Sequence, residues 1–258
     1  MTHPIDQAIV YVMAAKEIAV MSGAGISVES GIPPFRGKGG LWEKFDPMEY
    51  AHIDAFLKHP EKVWHVLLRE MTHIMAASRP NAAHEGLARL EKMGKLKTVI
   101  TQNVDGLHQR AGNTDVVEFH GNFASYSCMA CSSKIGCEEI PLDTIPPRCS
   151  CGGIYRPDCV FFGEMIPEEA MERAENAAKA CDLMLVVGTS GLVYPAAQIP
   201  LIAKRSGAAI IEINPEKTPL TGPVSDLLLM GKAGETLKKL ADRVEARLRT
   251  GEDQERVP

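Results

Sequence analysis

The sequence predicts an α/β protein: a parallel sheet with helices on both faces, plus a smaller second domain. Three observations carry this. Short, continuously apolar runs alternate with segments of helical period, the pattern of strands buried on both sides. Several of these runs end in glycine or in small polar residues. Two stretches break the rhythm, and the second holds closely spaced cysteines.

The elements follow in order. Pro4 to Lys16 has Ile5, Ala8, Ile9 and Val12 at helical spacing, with proline near the start. Ile18 to Met21 reads as a buried strand running into Gly23-Ala24-Gly25-Ile26-Ser27. Asn81 to Met93 is an amphipathic helix stopped by Gly94. Thr98 to Ile100, Val116 to Phe119, Leu183 to Val187 and Ala208 to Ile213 are further strands. A helix is expected from about Pro195 to Arg205, and a last one from Gly234 to Leu248. The charged tail from Gly251 is expected to fray. The excursions are Pro33 to about Arg79 and Ala124 to Asp158.

Bulk composition excludes several classes. The 258 residues can bury a core without staples. A net charge of -5 gives no general attraction to nucleic acid or to an anionic membrane. No apolar run reaches the ~18 residues of a membrane span, and the N-terminus shows no signal-peptide pattern. Seven cysteines, four of them in tight pairs, favour metal over disulfides and a cytoplasmic location.

Four strand ends are polar or glycine-rich: Gly23-Ala24-Gly25, Gln102-Asn103-Val104-Asp105, Gly188-Thr189-Ser190 and Asn214-Pro215-Glu216. Each alone fits a tight turn or a helix cap. Together they point to a nucleotide at the carboxyl edge of a parallel sheet. The glycines after the first strand would let backbone approach a pyrophosphate. The ordinary fingerprint is incomplete, because position 28 is Val and no acid ends the next strand. Phe35 and Arg36 follow, a ring cover and a planar fork for phosphate. His120 closes a strand beside the polar cluster, where a histidine can act as a general base. Cys128-x2-Cys131 and Cys149-x-Cys151 fit a closed tetrahedral zinc site, which leaves no position for catalysis. Cys137 is a rival ligand, and Cys159 and Cys181 read as core residues.

In this order and spacing, these segments resemble the sirtuins of the prokaryotic type, the NAD-dependent protein lysine deacylases. The resemblance rests on residues 23 to 36, Thr101 to Asp105, Leu107 to Gly112, His120-Gly121, the cysteine pairs, Arg156-Pro157, Phe162-Gly163-Glu164, Gly188 to Ser190, Val193 to Ala197 and Ile213-Asn214. It implies a Rossmann-like domain from 1–33, 80–123 and 159–250. It further implies a small domain made of a cofactor loop and helical module over 34–79 and a zinc ribbon over 124–158, with 251–258 as a flexible tail. NAD is the implied co-substrate, with one structural zinc held by Cys128, Cys131, Cys149 and Cys151. Gly23, Ala24, Gly25, Ser27, Phe35, Arg36, Trp42, Gln102, Asn103, Val104 and Asp105 would meet its phosphates, ribose and nicotinamide. Gly188, Thr189, Ser190, Asn214, Pro215, Glu216 and Ala233 would hold the adenosine half.

By the same resemblance, Val160, Phe161, Phe162 and Gly163 on one side, and Gly191, Leu192 and Val193 on the other, would sandwich an acyl-lysine peptide as an added strand. His120 would be the base, supported by Asn103 and Asp105, and the acyl group would pass to ADP-ribose as nicotinamide leaves. The branch that grips acidic acyl groups carries a Tyr and an Arg three residues later. The corresponding Val63 to Met71 has no Tyr, and Arg69 is out of register. Leu and Met there imply a neutral acyl pocket. Two readings stand beside deacylation: protein mono-ADP-ribosyl transfer through the same cleft, and a catalytically silent NAD-binding interaction module. Oligomeric state is not legible.

Overall fold

The computed structural model describes residues 3–37 and 39–250; the expected tail at 251–258 lies outside them. Among the described residues, nine strands form two sheets. They are β1 (Ile18–Ser22), β2 (Leu96–Thr101), β3 (Val116–Glu118), β4 (Gly121–Cys128), β5 (Lys134–Gly136), β6 (Tyr155–Cys159), β7 (Leu183–Val187), β8 (Ala209–Asn214) and β9 (Leu227–Met230). The first helices are α1 (Pro4–Ala14), α2 (Leu41–Lys44), α3 (Pro47–Tyr50), α4 (Ile53–Lys58), α5 (Pro60–Val63) and α6 (Arg69–Ala77). The remaining ones are α7 (Ala82–Lys92), α8 (Leu107–Ala111), α9 (Glu168–Ala180), α10 (Ile199–Arg205) and α11 (Ala233–Thr250).

The large sheet has the order β3-β2-β1-β7-β8-β9 and is parallel throughout. Side chains alternate across it, so both faces must be covered. Ile18 and Val20 join α1, α7 and α11 in one core, whereas Ala19 and Met21 join α9 and α10 in the other. Strand order reverses between β1 and β7, where the loops after them leave in opposite directions and open a crevice.

The second sheet, β5-β4-β6, is antiparallel and carries the cysteines. The central strand β4 and the edge strand β6 overrun 124–158, starting at Gly121 and ending at Cys159. Helices α2 to α6 share one core with it. Trp64 ties the two together, stacking on Tyr126 at 6.0 Å and donating its indole N–H to the Tyr155 carbonyl at 3.0 Å. Thr72 adds a hydroxyl contact to Tyr126 at 2.9 Å.

Most expected elements are present, with ends shifted by a residue or two. The segment from Pro195 starts as a 3-10 turn, Ala196–Gln198, before α10 begins at Ile199. Helix α9 and strand β9 were not expected. The buried residues of α9 are two alanines, Ala174 and Ala178, four apart, too faint a stripe to stand out from Glu, Arg and Lys. Strand β9 is only four residues long and lies at the sheet edge.

Two histidines are fully buried between α7, α8 and the sheet, with ring centroids 4.9 Å apart. His84 accepts the Asn81 N–H at 3.3 Å in a capping box, and His108 meets the Ser22 hydroxyl at 2.9 Å through Nε2. Burial holds His84 down to about 3, with His108 adding to the effect, and holds His108 down to about 4. The fold therefore resists protons that the unfolded chain takes up below about pH 6.5. Stability is complete above that value and falls as pH drops towards 4, by roughly 1.4 kcal/mol per pH unit for each histidine. Urea midpoints at about pH 6.5 and 5 should show the loss, before most carboxylates titrate, and His108→Gln should flatten it. A wild-type midpoint that stays level across that window would contradict this account.

Candidate active site and metal centre

The site begins at the interlocked tips of β1 and β7. Gly23 N–H donates to Val187 at 3.0 Å, and Gly25 N–H to Gly188 at 2.8 Å. A Cβ on Gly25 would stand 2.7 Å from the Gly188 backbone, and one on Gly188, at φ +58, would stand 2.4 Å from Ile26 N. These glycines are thus required by the loop-to-loop approach itself, in addition to any ligand. A 3-10 helix, Ala24–Ser30, follows directly.

Strand β2 delivers the amides. Gln102 donates Nε2–H to Thr189 Oγ1 at 3.0 Å, bridging the crevice floor. Asn103, 6% exposed, donates Nδ2–H to the Gly23 carbonyl at 3.2 Å and to Ser27 Oγ at 3.1 Å. Ser27 donates to Asp105 Oδ2 at 2.7 Å, and Asp105 Oδ1 accepts the Leu107 N–H at 2.9 Å. Burial raises the Asp105 carboxyl against the pull of those donors. Beneath them, Thr101 Oγ1 accepts the Asn103 N–H at 3.1 Å and shares a 2.8 Å hydrogen bond with Ser22, which meets His108. Sequence reasoning gave no role to Ser22, Thr101, His84 or His108. A polar strand end after an apolar run was the available signal for Ser22 and Thr101, whereas His84 and His108 lie on α7 and α8 and had none.

His120 stands in the turn between β3 and β4, its ring against Phe119 at 5.5 Å. Its Nδ1 lies 3.1 Å from the Gln102 carbonyl oxygen. A carbonyl only accepts, so Nδ1 carries the proton and the neutral ring keeps its lone pair on Nε2. Burial lowers its proton affinity, and the bond to Gln102 only partly restores it. The ring is neutral and basic at neutral pH, as a proton acceptor must be.

The crevice is a cavity of about 980 Å³ between the two sheets, the upper end of ordinary ligand sites. Gly23, Ala24, Gly25, Phe35, Arg36, Trp42, Gln102, Asn103, Val104, His120, Gly188, Thr189, Ser190, Asn214, Pro215, Glu216 and Ala233 all line it, as do Val160 to Gly163, Leu192 and Val193. Ser27, Asp105 and Gly191 are not among the lining residues. The first two hold Asn103 from behind, and Gly191 abuts Leu220. Cys159, expected in a core, packs against the small-domain core and also lines the cavity. Its thiol is pushed up to about 12 by burial, which keeps it protonated and unreactive.

The far wall is braced by ions. Arg156 clamps Glu164 through both nitrogens at 2.6 and 2.7 Å, and its guanidinium lies 4.9 Å from the Phe161 ring. Phe162 commits both backbone groups to the helical module: its N–H donates to Ala51 and its carbonyl accepts from Ile53, each at 2.9 Å. Val160 N–H is likewise taken by the His120 carbonyl at 2.9 Å. An added peptide strand would therefore pair with the other backbone groups along this edge.

Cys128, Cys131, Cys149 and Cys151 bring their Sγ atoms within 4.8 Å of one another. Two of the separations are 3.5 and 3.8 Å. A zinc tetrahedron with Zn–S near 2.3 Å has sulfur edges of about 3.8 Å, so the set fits the ion. The Ala130 N–H points at Cys128 Sγ at 3.4 Å, the outer support that thiolate ligands need. Cys137 is outside this cluster and packs against the small core, so the C-x-C pair supplies the remaining ligands.

A parallel sheet with a ligand crevice at its reversal point, amides at the strand tips, a buried neutral histidine and a cysteine-braced second layer define a dinucleotide-using α/β enzyme with a structural metal. The Sir2 family model matches residues 23–195. The chain is 48% identical to the NAD-dependent protein deacylase 2 of Pyrobaculum aerophilum, over 92% of this chain and 94% of that one. A solved Sir2 homolog–NAD complex superposes with a TM-score of 0.88 at 44% identity, covering 96% of each chain. A Sir2–p53 peptide–NAD+ complex gives 0.87 at 35% identity, covering 95% of this chain and 100% of that one. The chain belongs to the Sir2 family.

Purified protein should carry about one zinc per chain. Cys151→Ser should lose most of it and unfold more easily, whereas Cys137→Ser should keep it. Metal analysis decides, and zinc lost from Cys137→Ser alone would reverse the ligand assignment.

Proposed function

We propose that this chain is an NAD-dependent protein lysine deacylase that passes the acyl group to ADP-ribose and releases nicotinamide. The observation that carries this is His120, held as a neutral base by the Gln102 carbonyl inside the cavity that Asn103 and the glycine tips also line. The family relationship and the NAD-bound relative support the same reading. Residues 34–79 and 124–158 are assigned to one small domain and 1–33, 80–123 and 159–250 to the large one. Four thiols set for a metal, and no helix among the described residues long and apolar enough to cross a membrane, accord with a cytoplasmic enzyme.

Each group has a task. Gly23, Ala24, Gly25 and Arg36 meet the phosphates, and Gly188, Thr189, Ser190 and Asn214 meet the adenosine half. Asn214 donates Nδ2–H to the Thr189 carbonyl at 2.9 Å, fixing the two loops against each other. Phe35 and Trp42 stack at 5.3 Å and form a cover beside Phe162. Gln102 and Asn103 present amides to the nicotinamide ribose, with Ser27 and Asp105 setting the Asn103 rotamer. The acyl oxygen would bond to the ribose carbon that nicotinamide leaves. His120 then accepts a proton from a ribose hydroxyl, which attacks the acyl carbon. With one water consumed, the bond from that carbon to the lysine nitrogen breaks, freeing the lysine amine and O-acyl-ADP-ribose. No strong acid is needed, because nicotinamide leaves NAD from a pyridinium that is already positive.

The acyl chain is read as neutral. Leu67, Leu68, Met71 and Phe123 line the same cavity as His120, whereas Arg69 is exposed on the far side of α6. A carboxylate in that apolar lining would lack a partner.

Two outcomes are expected from peptide turnover followed by mass. Acetyl and longer apolar acyl-lysines should turn over with NAD, and succinyl-lysine should be at least about tenfold slower, the cost of an unpaired carboxylate. His120→Ala should lower kcat by about 10²-fold or more while NAD binding persists. In wild type the rate should fall on the acid side with an inflection below 6.5, because burial depresses the histidine. Full turnover by His120→Ala would remove the base assignment. A mass gain on the protein in place of peptide deacylation would turn the reading towards ADP-ribosyl transfer.

A further inference from the structure

Glu212 is 1% exposed and lies in the middle of β8. Its neighbours Ile211 and Ile213 belong to the core under α1, α7 and α11. By alternation Glu212 shares the opposite face with Ile210, where Leu220 and Val224 belong to the hydrophobic cluster. A carboxylate is a costly occupant there unless its oxygens are fully engaged. Three hydroxyls engage them, all from the loop after β8. Thr218 donates to Oε1, and Thr221 and Ser225 donate to Oε2 at 2.7 and 2.6 Å.

The loop is knotted around the same residues. Thr221 Oγ1 accepts the Thr218 N–H at 2.9 Å, and Thr218 Oγ1 accepts the Leu220 N–H at 3.1 Å. Two functions of this loop then meet. Pro215, Glu216, Lys217, Thr218 and Pro219 line the cleft. Leu220, from the same turn, backs Gly191, where a Cβ would come within 3.1 Å of it. Glu212 thus reaches both the β8 loop and the β7 loop without touching the cavity.

We infer that Glu212 is a positioning residue for NAD. By collecting the hydroxyls of Thr218, Thr221 and Ser225 it holds the loop after β8, and through Leu220 the loop after β7, in the shape that receives the adenosine half. An apolar residue would fill the same space and leave the loop unmoored. The inference rests on the NAD-dependent reading of the cleft.

The test compares wild type with Glu212→Gln, Thr221→Val and Ser225→Ala, by NAD kinetics and by ADP-ribose calorimetry. Glu212→Gln should raise the KM for NAD and the Kd for ADP-ribose roughly tenfold, with kcat at saturating NAD within about twofold. Thr221→Val and Ser225→Ala should each raise both by about threefold. Combining Thr221→Val with Glu212→Gln should raise both by less than the product of the single effects, since the two share the Thr221–Glu212 bond while Thr221→Val also loses the bond from the Thr218 N–H. If Glu212→Gln does not fold, the two hydroxyl variants decide alone. Folded variants that keep wild-type NAD KM and ADP-ribose Kd, whatever their melting temperature, would overturn the inference. Wild-type protein that binds no ADP-ribose would overturn the NAD-dependent reading beneath it.

Discussion

The approach of two backbone loops, Gly23 to Ile26 and Gly188 to Thr189, sets the geometry on which the cleft depends. Their separation is a contact distance between main chains, with hydrogen bonds at 3.0 and 2.8 Å and no room for a side chain at Gly25 or Gly188. Everything that lines the crevice floor is measured from this interlock. Asn103 anchors to the Gly23 carbonyl, Gln102 to Thr189, and Asn214 to the Thr189 carbonyl. One bulky residue at either tip would push β1 and β7 apart and displace all three amides together.

Most strands of the large sheet were legible because burial on both faces forces continuous apolar runs, and such runs are rare elsewhere. The strand-tip residues were legible for the converse reason: polar groups directly after an apolar strand have few structural uses. What stayed hidden lacked contrast. Helix α9 buries alanines, β9 is a four-residue edge, and the cysteine sheet is too short for a clear period. The glycines were read for the right place and half the reason, since a sequence cannot show that two distant loops touch. Cys159 was read only as a core residue because a sequence does not show that one side of it borders the cleft while the other packs against the small core.

The floor of the site solves an electrostatic problem with neutral groups. Ser22, Thr101, Gln102, Asn103, Ser27 and two neutral histidines lie under the crevice, and Asp105 is turned into hydrogen bonds with Ser27 and Leu107. A fixed charge pointing upward would favour one charge state of a bound nicotinamide, as the proposed function places it, and resist the other. Amides and hydroxyls stabilise both at lower cost, because small reorientations of their dipoles suffice. The same burial that keeps His84 and His108 neutral also keeps His120 unprotonated and ready to accept a proton.

The two walls of the cleft are stabilised by different means, and this bears on how they can move. The sheet wall is fixed by the main-chain interlock and by Glu212, groups with almost no freedom once folded. The opposite wall hangs on side chains: Arg156 on Glu164, Trp64 on Tyr126, and the cysteine cluster behind them. Phe162, 36% exposed at the lip, is joined to the helical module through both of its backbone groups. A shift of that module would therefore carry Phe162 and its strand edge with it, while the glycine tips and amides stayed in place. Under the proposed function, the side of the cavity read as the acyl pocket can then adjust without disturbing the groups around His120.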